Sequence, residues 1–205
     1  MYRYVLFIGI LALGFAACKK KAISYTITGN VYDQTFSGNL AGATVELKLT
    51  TAGTSTSVVS KTVQTDSQGK FSFDFERGKI ESVTIQVSKG GYFEQSQTYQ
   101  LDDLSVENDN EVQFNTKAKA WVRLHFTGNG TKTVKYFKSQ GLSNCAECCP
   151  SGEYTLSNVT DQSILCINNG YENYGIYYLI VNETNYIPLS INTPAFDTTE
   201  LLIAL

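Results

Sequence analysis

Apolar and polar residues alternate along many short segments of the chain, which is the pattern of half-buried β-strands. The segment 70–76 shows it most clearly, because Phe71, Phe73 and Phe75 alternate with polar residues. Successive side chains of a strand point to opposite faces, so the three rings are predicted to line one inner surface. The same alternation predicts three more strands in the first half, at 23–31, 43–49 and 83–87.

The second half of the chain alternates in a similar way. The segment 121–126 has a clean alternation, and 134–138 has a less regular one. Further strand candidates are 163–168, 174–182, 186–192 and 199–205. No long window repeats apolar residues at helical spacing, and breaks recur about every ten residues. The pattern therefore predicts an all-β protein of two antiparallel β-sandwich domains in tandem.

Composition and charge narrow the possible partners. The chain of 205 residues is rich in Tyr and Phe and has only 3 Pro, which suits strands. It has 16 basic and 19 acidic residues. Nucleic-acid binding needs a concentrated basic face, and this mildly acidic balance argues against it.

The N-terminus has the layout of an export signal. Met1–Arg3 is a short basic start, and about twelve mostly apolar residues follow up to Phe15, too few to span a membrane that needs roughly 20. The segment Phe15-Ala16-Ala17-Cys18 resembles a bacterial lipobox, although the family usually has an aliphatic residue where Phe15 stands. The resemblance implies a signal peptide at 1–17, acylation of Cys18 and a lipidated tether at 18–22. An ordinary cleaved signal with a chance cysteine is the alternative.

These N-terminal features predict an exported protein that is lipid-anchored to the bacterial cell envelope, at the outer membrane. The membrane is then one partner, through the anchor. The triplet Lys19–Lys21 is interpreted as a solvated tether, which could also touch anionic headgroups.

Segments of the first half resemble the carboxypeptidase regulatory-like domain in the right order. They are 27–33, 40–47, 65–73 and 87–92. The resemblance implies a transthyretin-like, Ig-like β-sandwich of about seven strands without catalytic residues of its own. We place this domain at 23–117 and a second β-sandwich, which resembles no family, at 118–205. No Gly/Ser linker separates them, so we expect a fairly stiff junction.

Four cysteines form the most concentrated reactive group of the chain: Cys145, Cys148, Cys149 and Cys166. In an exported protein, an even set suggests disulfides, and four cysteines allow three complete pairings. A bond from the loop 144–152 to Cys166 would join the loop to a strand, with about 3 kcal/mol of stabilisation. A zinc site of four thiolates and free thiols are the alternatives.

Other candidate sites are weaker. The only histidine, His125, is interpreted as a surface or interdomain residue. The acidic segment 102–111 could bind calcium, but we favour a solvated turn. Exposed tyrosines could stack on sugar rings, and we name Tyr171, Tyr174 and Tyr177. The segment Asp197-Thr198-Thr199 resembles an O-glycosylation site of some envelope bacteria.

These observations predict a lipid-anchored envelope protein that acts as a non-enzymatic binding or assembly module. Its expected partner is another envelope protein or a glycan, and we predict no catalytic residue, metal or cofactor. The first alternative is a carbohydrate-binding lipoprotein associated with glycan uptake. The second is a cysteine-dependent metal protein or enzyme. The residues that bind the ligand are not identifiable from the sequence.

Overall fold

The computed structural model describes residues 22–205 except 55, 150 and 151, and these residues form fifteen strands and two single-turn 3₁₀ helices. The strands of the first half are β1 (Ser24–Asp33), β2 (Gly38–Asn39), β3 (Thr44–Thr51), β4 (Ser57–Gln64), β5 (Lys70–Glu76), β6 (Ile80–Ser88), β7 (Gln95–Gln100) and β8 (Asn110–Thr116). Those of the second half are β9 (Lys119–Thr127), β10 (Val134–Gln140), β11 (Tyr154–Leu156), β12 (Asp161–Asn169), β13 (Glu172–Ile180), β14 (Ile187–Thr193) and β15 (Thr198–Ala204). The 3₁₀ helices span Leu101–Asp103 and Ala146–Cys148. The proposed signal peptide and Cys18 lie outside the described residues.

Each half of the chain builds two sheets around its own hydrophobic core. In the first half, sheet β5–β1–β8, extended by β2 at the end of β1, packs on sheet β4–β3–β6–β7. In the second half, sheet β12–β9–β15 packs on sheet β11–β10–β13–β14. The predicted all-β class with tandem sandwiches is confirmed. Two pairings depart from the antiparallel expectation, because β8 runs parallel to β1 and β15 runs parallel to β9.

The two sandwiches have the same connectivity. In each, the first strand lies between an antiparallel neighbour and the last strand of the same half, which is parallel to it. The second sheet has the order β4–β3–β6–β7 in one half and β11–β10–β13–β14 in the other, which match strand for strand. The chain therefore contains a structural repeat.

The inner faces follow the alternation of the sequence. Phe71, Phe73 and Phe75 are at most 6% exposed, as the pattern predicts. Each such ring contributes roughly 1.5–3 kcal/mol on burial. The prediction was wrong for Ile23, which is 45% exposed, because it precedes the first paired residue of β1.

Hydrogen bonds to the backbone of Ala118 and Lys119 join the two sandwiches at a two-residue connection. Strand β8 ends at Thr116 and β9 begins at Lys119. The Ala118 amide donates to Thr35 Oγ1 in the first half at 2.8 Å, and its carbonyl accepts from the Gly170 amide in the second half at 2.8 Å. The Lys119 amide also donates to the Gly91 carbonyl at 2.7 Å. Both halves therefore hold the same short stretch of backbone.

An aromatic cluster covers this connection, and we call Phe36, Tyr92, Tyr171 and Phe196 the junction cluster. The Phe196 ring lies 5.2 Å from the Tyr92 ring and 5.8 Å from the Phe36 ring, between centroids. The Phe36 ring also meets the Tyr171 ring edge-on at 5.6 Å. The cluster takes rings from both halves, so it adds apolar contact to the backbone bonds.

Strand direction places the start of β1 far from the junction. Strand β1 starts at Ser24, runs for 10 residues and ends at Asp33, which pairs with Thr116 beside the connection. At about 3.3 Å per residue, the start of β1 lies roughly 30 Å from that end. Residues 22 and 23 therefore lie at the end of the first sandwich that is opposite the second sandwich. Among the described residues, we find no helix with the length and apolar character that crossing a membrane requires.

We expect Gly91→Ala to disturb the junction cluster. Gly91 has φ +80°, and an added Cβ would lie 2.7 Å from the Phe196 ring. Gly53→Ala is a matched control, because Gly53 has φ +82° with no atom within 4 Å of an added Cβ. Both variants should lose about 1 kcal/mol of unfolding free energy through backbone strain, and Gly91→Ala should lose more. Urea titration measures the difference.

The additional loss of unfolding free energy in Gly91→Ala should disappear when Phe196 is also replaced. We therefore expect Gly91→Ala to cost no more than Gly53→Ala in a Phe196→Ala background, as a double-mutant cycle. Equal losses for the two glycine variants in the natural background would contradict close packing of Phe196 on Gly91.

Candidate functional site

The cysteine-rich loop is closed by two disulfides. Cys145 pairs with Cys148 across the second 3₁₀ helix, with 5.2 Å between their Cα atoms. Cys149 pairs with Cys166 of β12, with 5.4 Å between their Cα atoms, and so joins the loop to the sheet. The sequence left three pairings open, and the fold selects this one. With all four sulfurs bonded in pairs, the loop has no thiolates to offer zinc.

Polar side chains fix the same loop from beneath. The Lys138 ammonium donates to the carbonyls of Leu142 and Cys148, the latter at 3.0 Å. Burial lowers the pKa of Lys138 from its ordinary value. The fully buried Asn168 accepts a hydrogen bond from the Leu142 amide at 2.8 Å. Both ends of the loop are therefore held to the sandwich.

Tyr174 holds the loop instead of facing a ligand. The prediction that it is exposed was wrong, because its side chain lies on the inner face of β13 with 0% exposure. Its hydroxyl donates to the Cys149 carbonyl at 2.7 Å. Burial raises the pKa of Tyr174, so the hydroxyl remains a donor.

A groove of about 700 Å³ lies between this loop and strand β10. Phe137 and Lys138 form its strand side. The loop side is formed by small and polar residues: Ser143, Asn144, Cys145, Ala146, Gly152 and Glu153. The lining thus combines an aromatic ring with hydrogen-bonding groups, as in many small-ligand sites.

Three outward-facing rings adjoin the groove, and we call Phe137, Tyr177 and Tyr186 the aromatic shelf. Pairing of β10 with β13 puts Phe137 opposite Tyr177, with 5.4 Å between ring centroids. The Tyr186 ring meets Phe137 at 5.3 Å. Tyr177 and Tyr186 each remain 38% exposed. The shelf therefore offers aromatic surface to a ligand in the groove.

Glu153 links the shelf to the groove. Its carboxylate accepts a hydrogen bond from the Tyr186 hydroxyl and lies 3.2 Å from the Lys135 ammonium. The bond from Tyr186 and then the bond from Lys135 hold the pKa of Glu153 below its ordinary value. Glu153 is therefore a charged acceptor at the edge of the groove.

The three tyrosines named from the sequence do not form one site. Tyr177 belongs to the aromatic shelf, whereas Tyr171 is 56% exposed in the turn between β12 and β13 and contacts Phe36. Sequence reasoning missed Phe137 and Tyr186. Phe137 occupies an outward position in the alternation of β10, which was a usable signal, but its contact with Tyr186 depends on strand pairing.

His125 lies on the outer face of β9, away from the groove. Its Nε2 is 2.7 Å from the Asp161 carboxylate and its Nδ1 is 3.1 Å from the Glu200 carboxylate. The hydrogen bond with Glu200, then that with Asp161, raises the pKa of His125. Since both ring nitrogens are bound to carboxylates, the imidazole is not placed to activate a nucleophile.

The remaining candidates have structural partners. Asp102 and Asp103 lie in the first 3₁₀ helix, and Asn110 binds the backbone of Ser105 and Thr26. Within residues 22–205, as far as they are described, no three His, Cys, Asp or Glu side chains are grouped for a metal. The Asp197 carboxylate accepts from the Thr198 amide at 2.7 Å where β15 begins.

Comparison with known proteins gives only distant similarities. No protein-family model and no curated protein matches the chain. Similar solved structures include the shaft pilin SpaA of Lactobacillus rhamnosus GG, at 10% identity and TM-score 0.38, covering 88% of this chain and 97% of the pilin. A streptococcal ancillary pilin has 12% identity and TM-score 0.37, covering 90% and 63%. The Bacillus anthracis TIE protein has 11% identity and TM-score 0.35, covering 89% and 34%. Similarity at this level gives no basis for assigning an activity or a partner.

We expect His125→Gln to remove a pH-dependent part of the stability. A raised folded-state pKa stabilises the protein below the ordinary histidine value of 6.5, and this contribution is lost as pH rises through the folded-state pKa. The difference in unfolding free energy between the natural chain and His125→Gln should therefore be larger near pH 6 than near pH 8.5.

Urea titrations across this range measure that difference, and they avoid the titration of ordinary carboxylates near pH 4. Glu200→Gln should weaken the same dependence, because it removes the carboxylate that raises the pKa of His125 most. A difference that is constant with pH would contradict the ion pairs of His125 with Asp161 and Glu200.

Proposed function

We propose that this chain is a lipid-anchored protein of the bacterial cell envelope, at the outer membrane, that acts as a non-enzymatic binding module. Acylated Cys18 and the following lysines would attach it to the membrane. The first sandwich, for which we keep the carboxypeptidase regulatory-like resemblance as a proposal, would be a spacer. The observation that carries the proposal is the position of the groove, which lies in the sandwich farther from the tether.

The chemistry of the groove supports binding over catalysis. Lys138 is held by two carbonyls, and the Cys145 sulfur is in a disulfide. Glu153 is paired with Tyr186 and Lys135 and has a lowered pKa, which suits an ionised acceptor more than a general base. These groups can orient a ligand by hydrogen bonds. The ligand would come from another envelope component, such as a protein partner in an assembly.

A glycan is the second candidate ligand, and the aromatic shelf favours it. The two exposed tyrosines present an apolar ring face together with a polar hydroxyl, a combination suited to the mixed surface of a sugar. Glu153, Asn144 and Lys138 lie within the same groove and could bind hydroxyl groups. This arrangement supports the carbohydrate-binding alternative at Tyr177 and not at Tyr171 or Tyr174.

Cys18→Ser should release the protein from the membrane fraction. Without the thiol no acyl chain can be attached, and membrane association that depends on two or more chains is lost. Labelled palmitate should enter the natural chain and not the variant, and cell fractionation should move the variant to the soluble fraction.

A matched control replaces Lys19, Lys20 and Lys21 by Gln. This variant should remain labelled and membrane-bound, which separates acylation from charge attraction. A natural chain that carries no palmitate and stays soluble would overturn the proposed anchor.

Tyr177→Ala and Tyr186→Ala should each weaken glycan binding at least about tenfold, equivalent to about 1.4 kcal/mol. Each substitution removes one exposed ring of the shelf. A glycan array with the mature chain identifies a ligand, and calorimetry measures its affinity for each variant.

Tyr171→Ala is the matched control, since Tyr171 is also exposed but lies at the junction. It should leave the affinity unchanged. Binding that is lost equally in all three variants, or no binding to any glycan, would overturn the sugar hypothesis and leave a protein ligand as the candidate.

A further inference from the structure

The two disulfides differ in the exposure of their more accessible cysteine and in the length of the loop that each closes. We propose that Cys145–Cys148 is a selectively reducible disulfide in the groove wall, opened by an exported dithiol reductant while Cys149–Cys166 remains closed. Selective opening is independent of the ligand of the groove. Only its effect on ligand binding rests on the proposed function.

Accessibility favours attack at Cys145. Thiol–disulfide exchange requires a thiolate to reach one sulfur of the bond. Cys145 is exposed and lines the groove, so its sulfur can be approached from solvent. Cys166 is 1% exposed and belongs to the core of the second sandwich, and its partner Cys149 is partly buried.

Lys138 places a positive charge beside the backbone of the residue that supplies the leaving sulfur, Cys148. The Lys138 ammonium is 3.0 Å from the Cys148 carbonyl oxygen. A nearby cation stabilises a thiolate and lowers the pKa of the thiol, which makes it a better leaving group. Lys138 therefore favours release of Cys148 once Cys145 is attacked.

Chain topology also makes the first bond the easier one to open. Cys145–Cys148 spans a sequence separation of 3, whereas Cys149–Cys166 spans 17. A disulfide that closes a longer loop removes more freedom from the unfolded chain and so stabilises the fold more. Opening the short loop therefore costs the protein less stability than opening the long one.

The exchange balances without any further reactant. One thiolate of the dithiol attacks the Cys145 sulfur, a mixed disulfide forms, and Cys148 leaves as a thiolate that takes up a proton. The second thiolate of the reductant then attacks its own sulfur in the mixed disulfide and releases Cys145. Two electrons pass to the protein, and the reductant becomes a disulfide.

Opening would change the groove without releasing the loop. The amide of Leu142 stays bound to Asn168, and Cys149 stays held by Cys166 and by the Tyr174 hydroxyl. Only the segment 143–148 between these points gains freedom. This segment supplies Ser143, Asn144, Cys145 and Ala146 to the groove lining, so reduction would alter the binding site itself.

Thiol mapping tests the proposal directly. The folded mature chain is incubated with graded dithiothreitol, the thiols are trapped with N-ethylmaleimide, and each cysteine is located by peptide mass spectrometry. We expect Cys145 and Cys148 to be labelled with a half-time at least tenfold shorter than Cys149 and Cys166. Labelling of all four together, labelling of Cys149 and Cys166 first, or transfer of the second bond to Cys148 would overturn the proposal.

Two variants keep the test independent of misfolding. The double variant Cys145→Ser, Cys148→Ser should retain the Cys149–Cys166 bond and show no fast labelling. Lys138→Gln should slow the opening several-fold, with a smaller difference at high pH, where the lysine loses its charge. An unchanged rate and pH profile would contradict the role assigned to Lys138. Ligand binding to the groove is measured in a separate experiment. If no binding is found, the result of thiol mapping still stands.

Discussion

Both sandwiches form hydrogen bonds to the backbone of Ala118, and the arrangement of the molecule depends on this constraint. Its amide is bound by the first sandwich and its carbonyl by the second. A hinge at this point would have to break both bonds and separate the rings of the junction cluster. The groove therefore stays fixed in position relative to the start of β1, across the junction, and this gives the spacer hypothesis its physical basis.

A single connectivity is used twice, with different loops. The connection between β3 and β4 is short, whereas the corresponding connection between β10 and β11 is long and contains three of the four disulfide-bonded cysteines. The second version needs two disulfides, Lys138 and Tyr174 to hold it against the sheet. The candidate site is thus a loop elaboration on a repeated scaffold, and binding sites are commonly added to stable frameworks in this way.

Alternation predicted the strands that bury one face, such as β5 with Phe71, Phe73 and Phe75. It missed β4 and β7, because these strands lie at the edges of their sheet and β7 has polar residues on both faces. The assignment of Tyr174 to the surface failed for a related reason. Tyrosine suits either face of a strand, so only the register of β13 shows that its ring is internal.

The rest of the site depends on contacts between distant parts of the chain. The parallel pairings of β8 with β1 and of β15 with β9 join the two ends of each half, and no local sequence pattern predicts them. The disulfide between Cys149 and Cys166 could not be predicted either, because the four cysteines allow three complete pairings. The aromatic shelf likewise forms only when β10, β13 and β14 are side by side.

Residual dipolar couplings of the mature chain in one weakly aligning medium test the shared junction most directly. Amide couplings from residues 24–116 and from residues 119–204 are fitted separately to the structure. The account predicts one alignment tensor for both sets, with equal magnitude and orientation. Two different tensors, or a much smaller one for either half, would show that the sandwiches move independently and would contradict it.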